Sequence, residues 1–298
     1  MSVALVTGAA GIVGPGICAE LKSSGWTVVA ADRSAESFAQ LEARGTRLEA
    51  DASLSADLSR SDEVAGLIAA AQRLGPIALV VNNATAHNRP IPLAQLDAAT
   101  CEKIWRVDLL APLLLVQAAT ADLAANQGLV INLSSVRVQH VTAGHLPYIT
   151  AKAATEAMTE VMALELAPQN IRVNCLRLGA VPGDGFLRAA LELLPPELGQ
   201  RLRAEILPGH FEQAGRSSSL GNSYGTPHDI GRAIVFLASA AGKFINGATI
   251  PVDGGFVLRQ HQRASEAATG PNTVHQWLSD PRGQVRAWLK SRNIDFAV

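Results

Sequence analysis

Residues 4 to 21 read ALVTGAAGIVGPGICAEL. An apolar run reaches a glycine-rich turn and continues with the apolar spacing of an amphipathic helix, the pattern of a strand, a tight turn and a helix. Glycines at Gly8, Gly11 and Gly14 let the backbone turn sharply and let a phosphate approach it. The helix that follows offers unpaired N–H groups and a partial positive charge at its start. Pro15 is tolerated only in a first helical turn, which places that start. The spacing is not G-x-G-x-x-G, so the stretch taken alone also reads as a plain strand-to-helix turn.

Working outward, short apolar runs recur at 3–6, 27–31, 77–81, 129–133, 171–176 and 248–252, with a weaker run near 47–49. Between them lie alanine- and leucine-rich segments with helical spacing at 12–24, 62–74, 98–126 and 147–166. Strands that are apolar throughout and alternate with helices imply a parallel sheet covered on both faces, a doubly wound α/β domain of about seven strands. The domain is expected to span residues 1–256, with an insertion at 182–226 and a C-terminal extension at 257–298. The insertion holds two short helical patterns, around 186–194 and 196–206, and then the polar run GRSSSLGNSYG, and long insertions of this kind are often lids.

Composition narrows the function. Lys and Arg total 25 against 26 Asp and Glu, and no basic block appears before residue 257, so no nucleic-acid partner is indicated. Cys18, Cys101 and Cys175 are far apart, odd in number and without metal-ligand spacing, which fits small buried thiols in a reducing compartment and no metal. The N-terminus has no basic region, and Thr7-Gly8 breaks its apolar run before a signal or membrane length is reached. A cytoplasmic protein with no membrane partner is expected.

Two constellations carry chemistry. The second apolar run ends in VVAADRS, which puts Asp32 where a carboxylate can accept hydrogen bonds from adenosine ribose hydroxyls. A carboxylate disfavours a 2′-phosphate by roughly 4 kcal/mol at about 4 Å and an effective dielectric near 20, before solvent reduces it. Arg33 offsets part of that, so NAD is the expected cofactor ahead of NADP. Farther on, Tyr148 and Lys152 in YITAK lie one helical turn apart on one face, just after Pro147.

These residues together resemble the short-chain dehydrogenase/reductase family over roughly residues 2–256. The resemblance rests on TGAAGIVG, Asp57-Leu58, VNNA at 81–84, INLSS ending at Ser135, YITAK, IRVNCLRLGAV at 171–181 and IPVDGG at 250–255, in that order. It implies a Rossmann-type fold, an NAD(P)-dependent oxidoreductase acting on a secondary alcohol or ketone, and a homodimer or homotetramer. It implies a catalytic group of Ser135, Tyr148 and Lys152, and a cofactor site drawn from Gly8, Gly11, Ile12, Val13, Asp32, Arg33, Asp57, Leu58, Asn83, Ala84, Tyr148, Lys152, Gly179 and Val181. The chemistry accounts for the residue types. A free tyrosine, with a pKa near 10, is a poor base at neutral pH, and a cation one turn away stabilises its phenolate. Ser135 then hydrogen-bonds the reacting oxygen.

The departures are as informative. The glycine spacing looks like the family's extended branch, whereas VNNA and VDGG look like its shorter oxidoreductase branch, and the latter two agree from distant parts of the chain. Asp108, in WRVDLLAP, stands where the family has a catalytic asparagine. It serves unchanged if only its backbone carbonyl is needed and alters the proton relay if a side-chain amide is. Thr85 and Leu178 replace a usual glycine and proline beside the nicotinamide pocket. A protein that senses nucleotide without turnover, and an NADP-dependent ketone reductase, are the rival readings.

For the substrate, Arg137 and His140 in VRVQHVTAGHLP and His87 in AHNRP offer recognition of a carboxylate, a sulfonate or several hydroxyls; solvated loop side chains are the alternative. Phe186, Leu187, Leu191 and Leu194 offer an apolar lid, or simply helix packing. The extension carries six Lys/Arg against three acids, a formal +3, and Asp280-Pro281 opens a helix whose Val285, Trp288 and Leu289 share a face that needs covering. Ala153, Ala154 and Ala157 would allow close helix contact between subunits.

Overall fold

The computed structural model describes residues 2–86, 90–181 and 225–258. Seven strands run β1 (Val3–Thr7), β2 (Thr27–Asp32), β3 (Ala52–Ser55), β4 (Ile77–Asn82), β5 (Leu129–Ser135), β6 (Arg172–Leu178) and β7 (Thr249–Val252). Between them lie α1 (Gly14–Ser23), α2 (Ala35–Glu42), α3 (Ser61–Gln72), α4 (Ala98–Trp105), α5 (Ala111–Ala125), α6 (Leu146–Leu166) and α7 (Pro227–Ala238). A single widened turn, Arg106–Leu110, joins α4 to α5.

All strands are parallel, in the order β3-β2-β1-β4-β5-β6-β7. The chain winds outward from β1 to β3, returns to place β4 on the other side of β1, and winds outward again. The doubly wound expectation therefore holds, and the reversal between β1 and β4 opens the crevice at the carboxyl ends of the strands where such sheets bind ligands. One face buries Leu5, Val29, Val80 and Val130 under α3, α5 and α6; the other buries Ala4, Val28, Val81 and Ile131 under α1 and α7. Alternate residues of each strand enter opposite cores, which is why these strands read as unbroken apolar runs.

Three details differ from the sequence reading. The third strand lies at 52–55 rather than near 47–49. It is the sheet edge, pairs only with β2, and alternates exposed Ser53 and Ser55 with Ala52 and Leu54, so it never forms an apolar run. Helix α1 starts at Gly14 rather than at residue 12, because Gly11 to Val13 are consumed by the turn, and Pro15 does sit in its first turn. Helix α7, which the periodicity did not single out, closes one face. It crosses α1 so tightly that a Cβ on Gly16 would stand 2.4 Å from the Pro227 carbonyl carbon, and one on Gly231 2.7 Å from the Gly16 carbonyl oxygen. A capping box of Thr226 and Asp229 starts α7, and the Arg172 guanidinium binds the Leu237 carbonyl at its end at 2.8 Å.

The stretch Ala98–Ala125 is long and apolar enough to cross a membrane by length and composition alone. Leu115, Val116, Ala119 and Leu123 instead pack into the core, as in an internal helix of an α/β protein. Cys18 and Cys175 are buried and their thiols pushed up to about 12 by burial; Cys101 is half-buried. The expected lid at 182–226, apart from Gly225 and Thr226, and the extension beyond Leu258 lie outside the described residues.

Candidate active site

The glycine turn is built by what surrounds it. Gly8 takes φ +63°, and a Cβ there would stand 2.7 Å from the Ala84 Cα, so only glycine lets the end of β4 close on it. Asn83 stitches the two together, donating to the Thr7 and Gly8 carbonyls at 2.8 Å each. Beyond the turn Gly11 and Ile12 are exposed and Val13 half-buried. Helix α1 has no side-chain cap and no acidic residue in its first turn. Its N–H groups and positive dipole end are therefore left open at the switch point, which fits a pyrophosphate.

Asp32, at the end of β2, is fixed over this loop. Its Oδ2 accepts the Ala10 N–H at 2.9 Å and its Oδ1 the Arg33 N–H at 2.8 Å. Each carboxylate oxygen keeps a further lone pair for ribose hydroxyls. Asp57 follows β3 and accepts from Ser59, whose N–H and hydroxyl hold its carboxyl below the usual range. Leu58 packs on the core, and Gly179 leaves β6 so close to Asp253 that a Cβ would meet its Cα at 2.6 Å.

The residues expected to form the catalytic group lie at the end of β5 and in the first turns of α6. Ser135 Oγ accepts the Arg137 backbone N–H at 3.2 Å, which leaves its own O–H proton free to donate. The Lys152 ammonium lies 5.7 Å from the Tyr148 ring centroid, as the YITAK spacing requires. Lys152 is 5% exposed, donates to the Leu133 carbonyl at 3.0 Å and stands 3.5 Å from Asp108 Oδ2. The sequence brought Asp108 to this place without its partners. Its Oδ2 accepts the Thr85 hydroxyl at 2.5 Å, its Oδ1 accepts the Ala86 N–H at 2.7 Å, and its carbonyl accepts the Thr155 hydroxyl at 3.4 Å. A carboxylate has no donor of its own, and every group around it here supplies one. The two departures at positions 85 and 108 are thus bonded to each other.

Arg137 lies beside Tyr148. Burial pulls its guanidinium below the usual range, and the neighbouring phenol works in the opposite direction. Its Nη1 donates to the Thr142 hydroxyl. His145, just before α6, is 3% exposed with its Nδ1 unpartnered; burial first, and the Arg137 charge second, pull it to about 4. His140 packs edge-on against Phe256, ring centroids 5.8 Å apart, which ties the loop after β5 to the start of the C-terminal segment. His87 falls outside the described residues. Sequence reasoning missed His145, whose burial no motif signals, and an ion pair behind the site: Arg177 grips Glu156 at 2.8 and 2.6 Å, and Ser134 donates to the same carboxylate at 2.6 Å. That pair clamps α6 to β6 one turn beyond Lys152.

Comparison with known proteins gives this geometry its lineage. The family model described as short chain dehydrogenase matches residues 2–187, and one described as Enoyl-(Acyl carrier protein) reductase matches residues 201–257. The chain belongs to the short-chain dehydrogenase/reductase family, an oxidoreductase family. It is 32% identical over 257 residues to L-fucose dehydrogenase of Oryctolagus cuniculus, covering 86% of this chain and 85% of that one. It is 28% identical over 260 residues to 3beta-hydroxysteroid dehydrogenase 2 of Eggerthella lenta, covering 85% and 94%. Among solved structures it resembles a blue fluorescent protein from a metagenomic library in complex with NADPH, with a TM-score of 0.68 and 28% identity over 86% of this chain and 97% of the other.

Proposed function

We propose that the protein oxidises a secondary alcohol to a ketone with NAD, and catalyses the reverse reduction, with Tyr148 as general base and acid. The observation that carries this reading is the convergence of Ser135, Tyr148 and Lys152 beside the open end of α1, with the Lys152 ammonium 5.7 Å from the Tyr148 ring. A nicotinamide cofactor, when bound, supplies the acceptor for the carbinol hydride. Every other task falls to the chain. Tyr148 removes the hydroxyl proton, and Lys152 steadies the phenolate that does so. Ser135, whose oxygen is already held by the Arg137 N–H, turns its O–H toward the substrate oxygen. The backbone from Gly11 to Val13 and the start of α1 would hold the pyrophosphate, Asp32 the adenosine ribose, and Gly179 and Val181 would border the nicotinamide.

NAD is favoured over NADP because Asp32, fixed by two backbone N–H groups, puts a carboxylate where a 2′-phosphate would lie. The relative holding NADPH keeps the alternative in view, and Arg33 beside Asp32 is the residue that would serve it. A homodimer or homotetramer is part of the same reading: Ala153, Ala157, Val161 and Leu164 lie exposed along one face of α6.

The test is the initial rate of NADH formation across polyols, hydroxy acids, alicyclic and benzylic alcohols, with NADP⁺ in parallel and Tyr148→Phe as control. Turnover with NAD⁺ that falls by ~10² or more in the variant is expected. NAD⁺ binding with no turnover in any class would favour a nucleotide-sensing role, and a preference for NADP⁺ would overturn the role given to Asp32.

A further inference from the structure

Arg137 is a half-buried cation without a counterion among the described residues. Among the described residues, the acids near the site are engaged elsewhere: Asp108 with Lys152, Thr85 and Ala86; Glu156 with Arg177 and Ser134; Asp253 with the Gly255 and Val257 N–H groups. Among the described residues no carboxylate pairs with Arg137, and its guanidinium makes one side-chain hydrogen bond, to Thr142. A guanidinium carries five N–H donors in a planar fork that matches a carboxylate. A charge partly withdrawn from water gains from an anion that completes it.

Its position says what would. The Arg137 backbone N–H binds the Ser135 hydroxyl oxygen at 3.2 Å, and the Tyr148 phenol lies near enough to act on its charge. The unfilled donors therefore border the place where the reacting oxygen sits between Ser135 and Tyr148. A second polar group there is also unfilled: His145 Nδ1 is buried without a partner three residues before Tyr148, on a side chain that is 3% exposed. His145 stays neutral at pH 7, so it adds no charge of its own and can donate one N–H.

Resting on the dehydrogenase reading above, we propose that the substrate is a hydroxy acid, or the matching keto acid. Its carboxylate pairs with Arg137 and takes a hydrogen bond from His145, and its carbinol oxygen lies between Ser135 and Tyr148 a few bonds away. The reaction balances without a further reagent: the carbinol C–H leaves as hydride to NAD⁺, the O–H proton goes to Tyr148 and then to solvent, and the products are keto acid, NADH and a proton. The negative charge of the substrate is unchanged, so Arg137 holds it in both directions.

The experiment compares kcat/KM for lactate, glycerate, 3-hydroxybutyrate and gluconate with that for the primary amide of each, in the wild type, Arg137→Met and Arg137→Lys. The NAD⁺ dissociation constant serves as the control for folding. The acids should exceed the amides on the order of 10²-fold in the wild type, and Arg137→Met should erase most of that preference while Arg137→Lys keeps part of it. Amides or neutral polyols used as well as the acids, or an acid preference that survives Arg137→Met, would overturn the proposal. A second readout is independent of turnover: the melting midpoint of the NAD⁺ complex with malonate or butyrate, in the wild type, Tyr148→Phe and Arg137→Met. A carboxylate-dependent rise that Tyr148→Phe keeps and Arg137→Met loses supports the anion site even if no compound is oxidised. A midpoint that neither carboxylate moves in the wild type overturns it, whether or not the chain proves to be a dehydrogenase.

Discussion

Replacing Lys152 with methionine should destabilise the protein as well as silence it, and a second substitution should undo the first effect and not the second. Lys152 and Asp108 stand 3.5 Å apart with side chains 6% and 0% exposed. At an effective dielectric near 20 their attraction is roughly 5 kcal/mol before desolvation. Removing one member strands the other in the interior, which typically costs about 3–5 kcal/mol. For a chain of this size that is a drop of roughly 5–10 °C in melting midpoint. Asp108→Asn in the Lys152→Met background removes the stranded charge, keeps an acceptor for the Ala86 N–H, and leaves the Thr85 hydroxyl free to turn and accept from the new amide. Urea unfolding and kcat of the wild type, the two single variants and the double variant make a closed cycle. The double variant should recover most of the stability and none of the turnover. A coupling between the two positions below about 0.5 kcal/mol would show that they are independent, and the pairing argued above would be wrong.

Other outcomes follow from single sites. Burial holds His145 at about 4 against an ordinary value of 6.5, so between those values the unfolded chain binds a proton that the folded chain refuses. Stability from this residue is therefore complete above pH 6.5 and is lost as pH falls toward and through 4, by at most about 3 kcal/mol. His145→Asn should flatten that part of the urea-midpoint profile, and a profile parallel to wild type would refute the assignment. Asp32→Ser should raise NADP⁺ use relative to NAD⁺ by on the order of 10-fold or more in kcat/KM, while equal losses with both cofactors would mean that Asp32 only braces the loop. Gly8→Ala places a Cβ 2.7 Å from the Ala84 Cα at φ +63°, so a cost on the order of 1–3 kcal/mol and weakened NAD⁺ binding are expected; calorimetry of the variant checks both.

What could be read from the chain divides along a physical line. Strands buried on both faces advertise themselves, because every residue from Val3 to Val6 or Ile77 to Val81 must be apolar. The edge strand is under no such demand, and Ala52–Ser55 escaped for that reason. The Tyr148–Lys152 pair was legible because its geometry is local, one turn of one helix. The partners of Asp108 were not, since Thr85 lies 23 residues away and meets it only through the return of the chain from β4 to α5. The same holds for Glu156 and Arg177, each unremarkable alone, and for His145, whose burial is imposed by tertiary packing.

The widened turn at Arg106–Leu110 has a consequence for how the chain tolerates length changes. Ile104 and Leu123 are both buried, and 123 minus 104 is 19 positions. At about 100° per residue, an unbroken α-helix would carry them to faces roughly 100° apart. A turn holding one extra residue absorbs that surplus, so 19 positions make close to five full turns and both side chains stay inside. Asp108 sits within the surplus. Deleting one residue between 106 and 110 would let the segment close as a regular α-helix, with 18 positions making five turns, so Ile104 and Leu123 would stay in phase while the widened turn around Asp108 is lost. The core's alignment therefore tolerates the loss of that one residue, and what the loss would disturb is the local backbone that carries Asp108.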